Sequence, residues 1–105
     1  MIGHIVAVRW NDSATEELIA TFEDGLRALP GIIPELISYR FGRDLALRQG
    51  NGDFAIVAQL ASGDDVPKYL DHPAHLRVVR ELLAPILAER TVIQFEWEPD
   101  FAASV

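Results

Sequence analysis

The strand-like runs of this chain are apolar on both of their faces, and nothing else in the sequence constrains the fold as tightly. In Ile2–Trp10, residues Ile2, Val6, Val8 and Trp10 point one way, while Ile5 and Ala7 point the other. In residues 53–61, Phe54, Ile56 and Leu60 oppose Ala55, Val57 and Ala61. A sheet packed on one side and wet on the other alternates apolar and polar residues more cleanly than this. Both faces of this sheet therefore need cover.

The rest of the chain supplies cover for one face only. After Trp10, the turn Asn11-Asp12-Ser13 leads into Ser13 and Glu16 at capping-box spacing. Leu18, Ile19, Phe22, Leu26 and Leu29 then recur at helical spacing, until Pro30-Gly31 stops the helix. Residues 35–42 alternate Ile37, Tyr39 and Phe41 with more polar neighbours, which predicts a second strand. Gly50-Asn51-Gly52 is turn chemistry, so this strand and residues 53–61 form a hairpin with a long connection. Asp64 or Asp65 caps a short helical turn through Tyr69, and Pro73 suits the first position of a longer helix. That helix carries Leu76, Val79, Leu82, Leu83 and Ile86 as its apolar stripe, with Pro85 expected to kink or fray its last turn. Residues 91–98 form the fourth strand, with Ile93, Phe95 and Trp97 expected inward, and a short tail is expected from residue 99.

The order is β-α-β-β-α-β, an α+β ferredoxin-like sandwich with an antiparallel sheet and both helices on one face. The 105 residues make one domain, residues 1–105. Two helices leave the second sheet face bare, and a second copy related by twofold symmetry covers it most economically. The expected assembly is a homodimer with face-to-face sheets and a barrel-like core.

Composition narrows the partners. A formal net charge of -7 opposes phosphate backbones and anionic lipid surfaces, so neither nucleic acid nor membrane is an expected partner. No apolar run reaches bilayer length, and the first ten residues lack the pattern of a signal peptide. The chain has no cysteine, which removes thiolate chemistry and suits a reducing, cytoplasmic setting.

Chemistry concentrates in Tyr69-Leu70-Asp71-His72-Pro73-Ala74-His75, with His4 at the start of the first strand. These are all three histidines, and imidazole titrates near neutral pH. Pro73 makes the two neighbouring histidines unequal. His72 precedes the helix and reads as its cap, whereas His75 falls in the first turn and can face the sheet. There the positive end of the helix would favour a neutral imidazole, able to accept a proton from a carbon acid. Tyr69 can donate to a developing enolate or alkoxide. His4 enters an apolar layer, so its ring needs a polar partner. A purely structural role for each of these groups competes with the catalytic one. A shared metal on His72 and His75 would need Asp71 or His4 to complete its shell, and no recognisable ligand motif accompanies them. No metal or cofactor is expected.

These residues resemble the stress-responsive A/B barrel (Dabb) family of dimeric α+β barrels. The likeness is carried by His4-Ile5-Val6, Phe22, Gly25-Leu26, Leu29-Pro30, Gly42, Asp44, Asp53-Phe54-Ala55, the Tyr69–His75 word and Val78-Val79. It extends from His4 to about Trp97. The resemblance implies a βαββαβ subunit, a dimer, and a cavity between sheet and helices. A plant polyketide cyclase of that family uses a histidine, a tyrosine and a second histidine at the positions of His4, Tyr69 and His75. Two readings stay open. One is a cofactor-independent lyase, cyclase or isomerase acting on a polyoxo or aromatic compound, with His75, Tyr69 and His4 as its catalytic set. The other is a non-catalytic dimer that binds a small hydrophobic or aromatic ligand or serves a stress response.

Overall fold

The computed structural model describes residues 1–98, so the tail expected from residue 99 lies outside the described residues. Four strands form one antiparallel sheet in the order β2-β3-β1-β4: β1 (Ile2–Trp10), β2 (Ser38–Arg43), β3 (Phe54–Leu60) and β4 (Leu87–Glu96). Helix α1 (Glu16–Ala28) connects β1 to β2, while α2 (Asp65–Leu70) and α3 (Pro73–Arg77) lie between β3 and β4. β1 is central and pairs with both β3 and β4, so whatever β1 carries on its helix-facing side is walled by two strands.

Helix α1 begins two residues later than its capping-box spacing suggests. Thr15, not Ser13, is the cap: its hydroxyl accepts the Leu18 amide at 3.2 Å. Ser13 instead donates its amide to the Asn11 side chain. Phe22 and Leu26 are buried as expected, but Leu18 is 44% exposed at the edge of the stripe. Neither acid at the head of α2 caps it through a side chain; Asp65 pairs with Lys68.

Pro73 opens α3 as predicted, with His72 as its cap: His72 Nδ1 accepts the Ala74 amide at 3.0 Å. Pro85 acts further upstream than a frayed end. It has no amide to give Glu81 and its ring crowds that carbonyl, so the last α-helical turn cannot close normally. The helix widens to a π-helical stretch over Val78–Leu83, where the Ala84 amide reaches back to Val79, and then tightens to a 3-10 turn over Ala84–Ile86. The wide stretch turns Val78 and Leu83 into the core and leaves Leu76, Val79 and Leu82 only partly covered. At Gly25 the wide stretch and α1 come so close that a Cβ would lie 2.7 Å from Leu82 Cδ1.

The helix-facing side of the sheet has two halves of different character. Trp10, Phe22, Phe41 and Phe54 form a packed aromatic cluster with centroids 5.4–6.0 Å apart. Arg43 bridges Glu16 and Glu23 beside it, fastening α1 to the end of β2. The other half carries His4, Tyr39, Tyr69 and Gln94 instead of packed aromatics.

The opposite face of the sheet carries Ile5, Val57, Ile93, Phe95 and Trp97, with no helix over it. Ile93 and Phe95 do not point inward. The β1–β4 register sets Ile93 opposite Ile5 and Phe95 opposite Gly3, and the two are 56% and 47% exposed. Trp97, also expected inward, instead lies over Gly3 on this bare face, where a Cβ would be 2.4 Å from its ring. No helix among the described residues is long and apolar enough to cross a membrane.

Candidate active site

The polar half of the sheet opens into a cavity of about 230 Å³ between β1, β4 and α3, lined by His4, Val6, Leu70, His75, Leu76, Val79, Arg90, Val92 and Gln94. Three elements build it. β1 delivers His4, and alternation on β4 delivers Gln94, Val92 and Arg90 opposite His4, Val6 and Val8. α3 delivers His75 and Leu76, and Val79 follows one turn later.

The backbone breaks between α2 and α3 and thereby orients His75. The break sends the Ala74 amide to His72 and leaves the Leu70 carbonyl without a helical partner, and His75 Nδ1 donates to it at 2.9 Å. A carbonyl can only accept, so neutral His75 carries its proton on Nδ1 and keeps a lone pair on Nε2. His4 is held in the opposite sense. The Gln94 amide nitrogen donates to His4 Nδ1 at 2.8 Å, which places the His4 proton on Nε2. One imidazole thus offers a base and the other a donor. Neither Nε2 has a partner among the described residues, and no buried side-chain nitrogen or oxygen there is left unsatisfied.

Both imidazoles are shifted toward the neutral form. Burial lowers the pKa of His4 below 6.5, with His75 and Arg90 adding like-charge repulsion. Burial also lowers that of His75, opposed by the Leu70 hydrogen bond and reinforced by Arg90. Burial is the largest of these causes at His75.

Tyr69 joins the two histidines but does not line the cavity. Its ring packs at 4.5 Å from that of His75 and edge-on at 5.7 Å from that of His4. Only 1% of the residue is exposed, and its hydroxyl meets that of Tyr39 at 2.9 Å. Burial raises the Tyr69 pKa to about 12, against the opposing hydrogen bond from Tyr39. Tyr39 is raised further, by burial and by Tyr69. Both are phenols at neutral pH. With Tyr39 donating to the Tyr69 oxygen, the Tyr69 proton is left facing away from the pair.

The structure therefore brings His4, Tyr69 and His75 into one cluster and keeps His72 apart as a cap, its Nδ1 already engaged. Among the described residues no three His, Asp or Glu side chains gather as metal ligands. Sequence reasoning missed Tyr39, Gln94 and Arg90. Tyr39 was visible only as a strand aromatic, and the other two owe their place to the β1–β4 register.

The whole arrangement matches known proteins. The Stress responsive A/B Barrel Domain model (Dabb) matches residues 2–97. An uncharacterized protein of Streptomyces coelicolor is 32% identical over 77 residues, covering 71% of this chain and 79% of that protein. A dimeric ferredoxin-like protein of unknown function from Thermobifida fusca superposes with a TM-score of 0.85 and 44% identity, over 91% of this chain and 90% of that one. A hydroxynitrile lyase from Passiflora edulis shares the fold with a TM-score of 0.82 and 21% identity, over 96% of both chains. With the family model spanning nearly the whole described chain, this protein belongs to the stress responsive A/B barrel domain family.

Proposed function

We propose that this chain is a cofactor-independent acid–base enzyme of the lyase, cyclase or isomerase type, acting on a small carbonyl compound. The observation that carries the reading is the pair of oppositely polarised imidazoles on one cavity. His75 Nε2 takes a proton from the carbon next to the carbonyl, and His4 Nε2–H donates to the oxygen as it becomes an enolate. The proton then returns from His75 to the product. Tyr69, expected from the sequence as the direct donor, acts in this reading by packing against both imidazole rings and holding them in place. The cavity of about 230 Å³ suits one ring or a short chain. That the same fold serves a hydroxynitrile lyase agrees with a lyase-type reading.

We place the active form in the cytoplasm as a homodimer joined through the bare sheet face, consistent with a relative described as dimeric and with the cysteine-free sequence. The test needs no known substrate. Small aryl ketones are incubated with the protein in D2O, and hydrogen exchange beside the carbonyl is followed by NMR. The wild-type protein should exchange at least one of them about 10²–10⁴ times faster than His75→Ala, while His72→Ala keeps the wild-type rate. Wild-type exchange no faster than that of His75→Ala across the panel refutes the base. Ligand binding without exchange would instead mark a non-catalytic binding protein.

A further inference from the structure

Five basic side chains among the described residues pair with acids: Arg9 with Glu89, Arg27 with Asp24, Arg43 with Glu16 and Glu23, Lys68 with Asp65, and Arg77 with Glu81. Arg90 does not. It forms no ion pair and no side-chain hydrogen bond among the described residues, although it stands one residue from Glu89. The pleat explains this. Glu89 points to the bare face of the sheet, beside Arg9, while Arg90 points to the helix-covered side and into the cavity wall.

The cavity around it is apolar apart from His4, His75 and Gln94. The side chains of Val6, Leu70, Leu76, Val79 and Val92 make up the remainder of its wall. His4 and His75 are neutral, so the guanidinium is the cation that a bound molecule meets there. A planar guanidinium left without an acid matches a carboxylate in two parallel hydrogen bonds, which an ammonium or amide cannot do. The chain as a whole carries a net charge of -7 and repels anions, so a local unpaired cation is what such a ligand needs.

We infer that the molecule bound in this cavity is a small carboxylate, with its apolar body against Val6, Leu76, Val79 and Val92 and its anionic group on Arg90. The inference rests on the acid–base reading of the same cavity and adds its substrate class: an oxo acid or aromatic acid. Arg90 is then a specificity residue that seats the carboxylate, leaving the far end of the ligand between the two imidazoles.

Benzoate and its uncharged counterpart benzamide are the probes, each titrated into the protein while the histidine ring signals are followed by NMR. Benzoate should move the His4 and His75 signals in a saturable way and bind about tenfold or more tightly than benzamide. Arg90→Gln should bring benzoate down to the benzamide level, with benzamide unchanged, and added salt should weaken benzoate alone. Arg90→Lys should recover part of the loss. Equal binding of the two probes, unchanged benzoate affinity in Arg90→Gln, or no response to benzoate at millimolar concentration overturns the carboxylate assignment. The same spectra test the underlying reading separately, because ring nitrogen shifts report the tautomers. If His75 is not protonated on Nδ1 alone at neutral pH, the acid–base reading fails whatever benzoate does. If the tautomers stand and charge makes no difference, only the carboxylate assignment falls.

Discussion

Replacing Tyr39 with phenylalanine removes one oxygen and strands another. The Tyr69 hydroxyl is buried within a residue that is 1% exposed, and Tyr39 at 2.9 Å is its hydrogen-bond partner. Losing that partner leaves a buried polar group unsatisfied, at a cost of about 1–3 kcal/mol. Tyr69→Phe leaves Tyr39 in the same position, though Tyr39 is less buried and recovers part of its loss from water. The double variant Tyr39→Phe/Tyr69→Phe removes both oxygens and strands nothing, so it should lie within about 1 kcal/mol of the parent. A double-mutant cycle then yields a coupling of about 1–3 kcal/mol, with the double variant more stable than the sum of the single losses. For a chain of this length, 1 kcal/mol corresponds to about 4–8 °C in Tm. The assay is urea and thermal unfolding followed by tryptophan fluorescence, at fixed protomer concentration because association contributes to apparent stability. Additive losses in the double variant would refute the reasoning, since they would mean that each hydroxyl contributes alone. The cycle also bears on the site, because Tyr69 is packed against both imidazoles and any drift of its ring moves them. In Tyr39→Phe the Tyr69 pKa should rise above about 12, because the hydrogen bond from Tyr39 is what holds it down.

Acid should destabilise the fold through its buried histidines. Both folded pKa values lie below 6.5, so as pH falls through 6.5 the unfolded chain binds protons that the folded chain refuses. Stability is therefore expected to decline from about pH 6.5 downward until the folded rings also charge. His4→Gln/His75→Gln should flatten that slope; an unchanged slope would place the titration elsewhere. On the bare face, Ile93→Asp sets a carboxylate in the middle of the predicted dimer contact, opposite Ile5. Sedimentation should show a dimer for the parent and a monomer for the variant at micromolar concentration, and a dimeric variant would argue against joining through this face.

Much of the fold was legible because local chemistry and period both pointed to it. The apolar runs Ile2–Trp10 and residues 53–61 marked the two neighbouring strands of the sheet, and Pro30-Gly31 and Pro73 marked helix ends. Pro73 also separated His72 from His75, since a residue before the first helical position caps and one within the first turn faces the core. Where two local signals competed, the sequence did not decide. Ser13 and Thr15 are both acceptable caps; in the fold the Ser13 amide is taken by the Asn11 side chain and Thr15 takes the Leu18 amide. Pro85 announced a disturbed helix, but not that the disturbance would be a wide stretch over Val78–Leu83 packed closely on α1 at Gly25.

What the sequence determined by itself was the cast: three histidines, one of them a cap, with a tyrosine beside them and strands that demand two layers of cover. Tertiary structure decided which nitrogen of each imidazole is free. That depends on the Leu70 carbonyl left open between α2 and α3, and on Gln94 being opposite His4 in the β1–β4 register. A one-residue slip of β4 would move Gln94 and Arg90 to the other face and bring Ile93 and Phe95 inward. Periodicity along a strand reports that its faces differ; only pairing with its neighbour says which face meets the histidines.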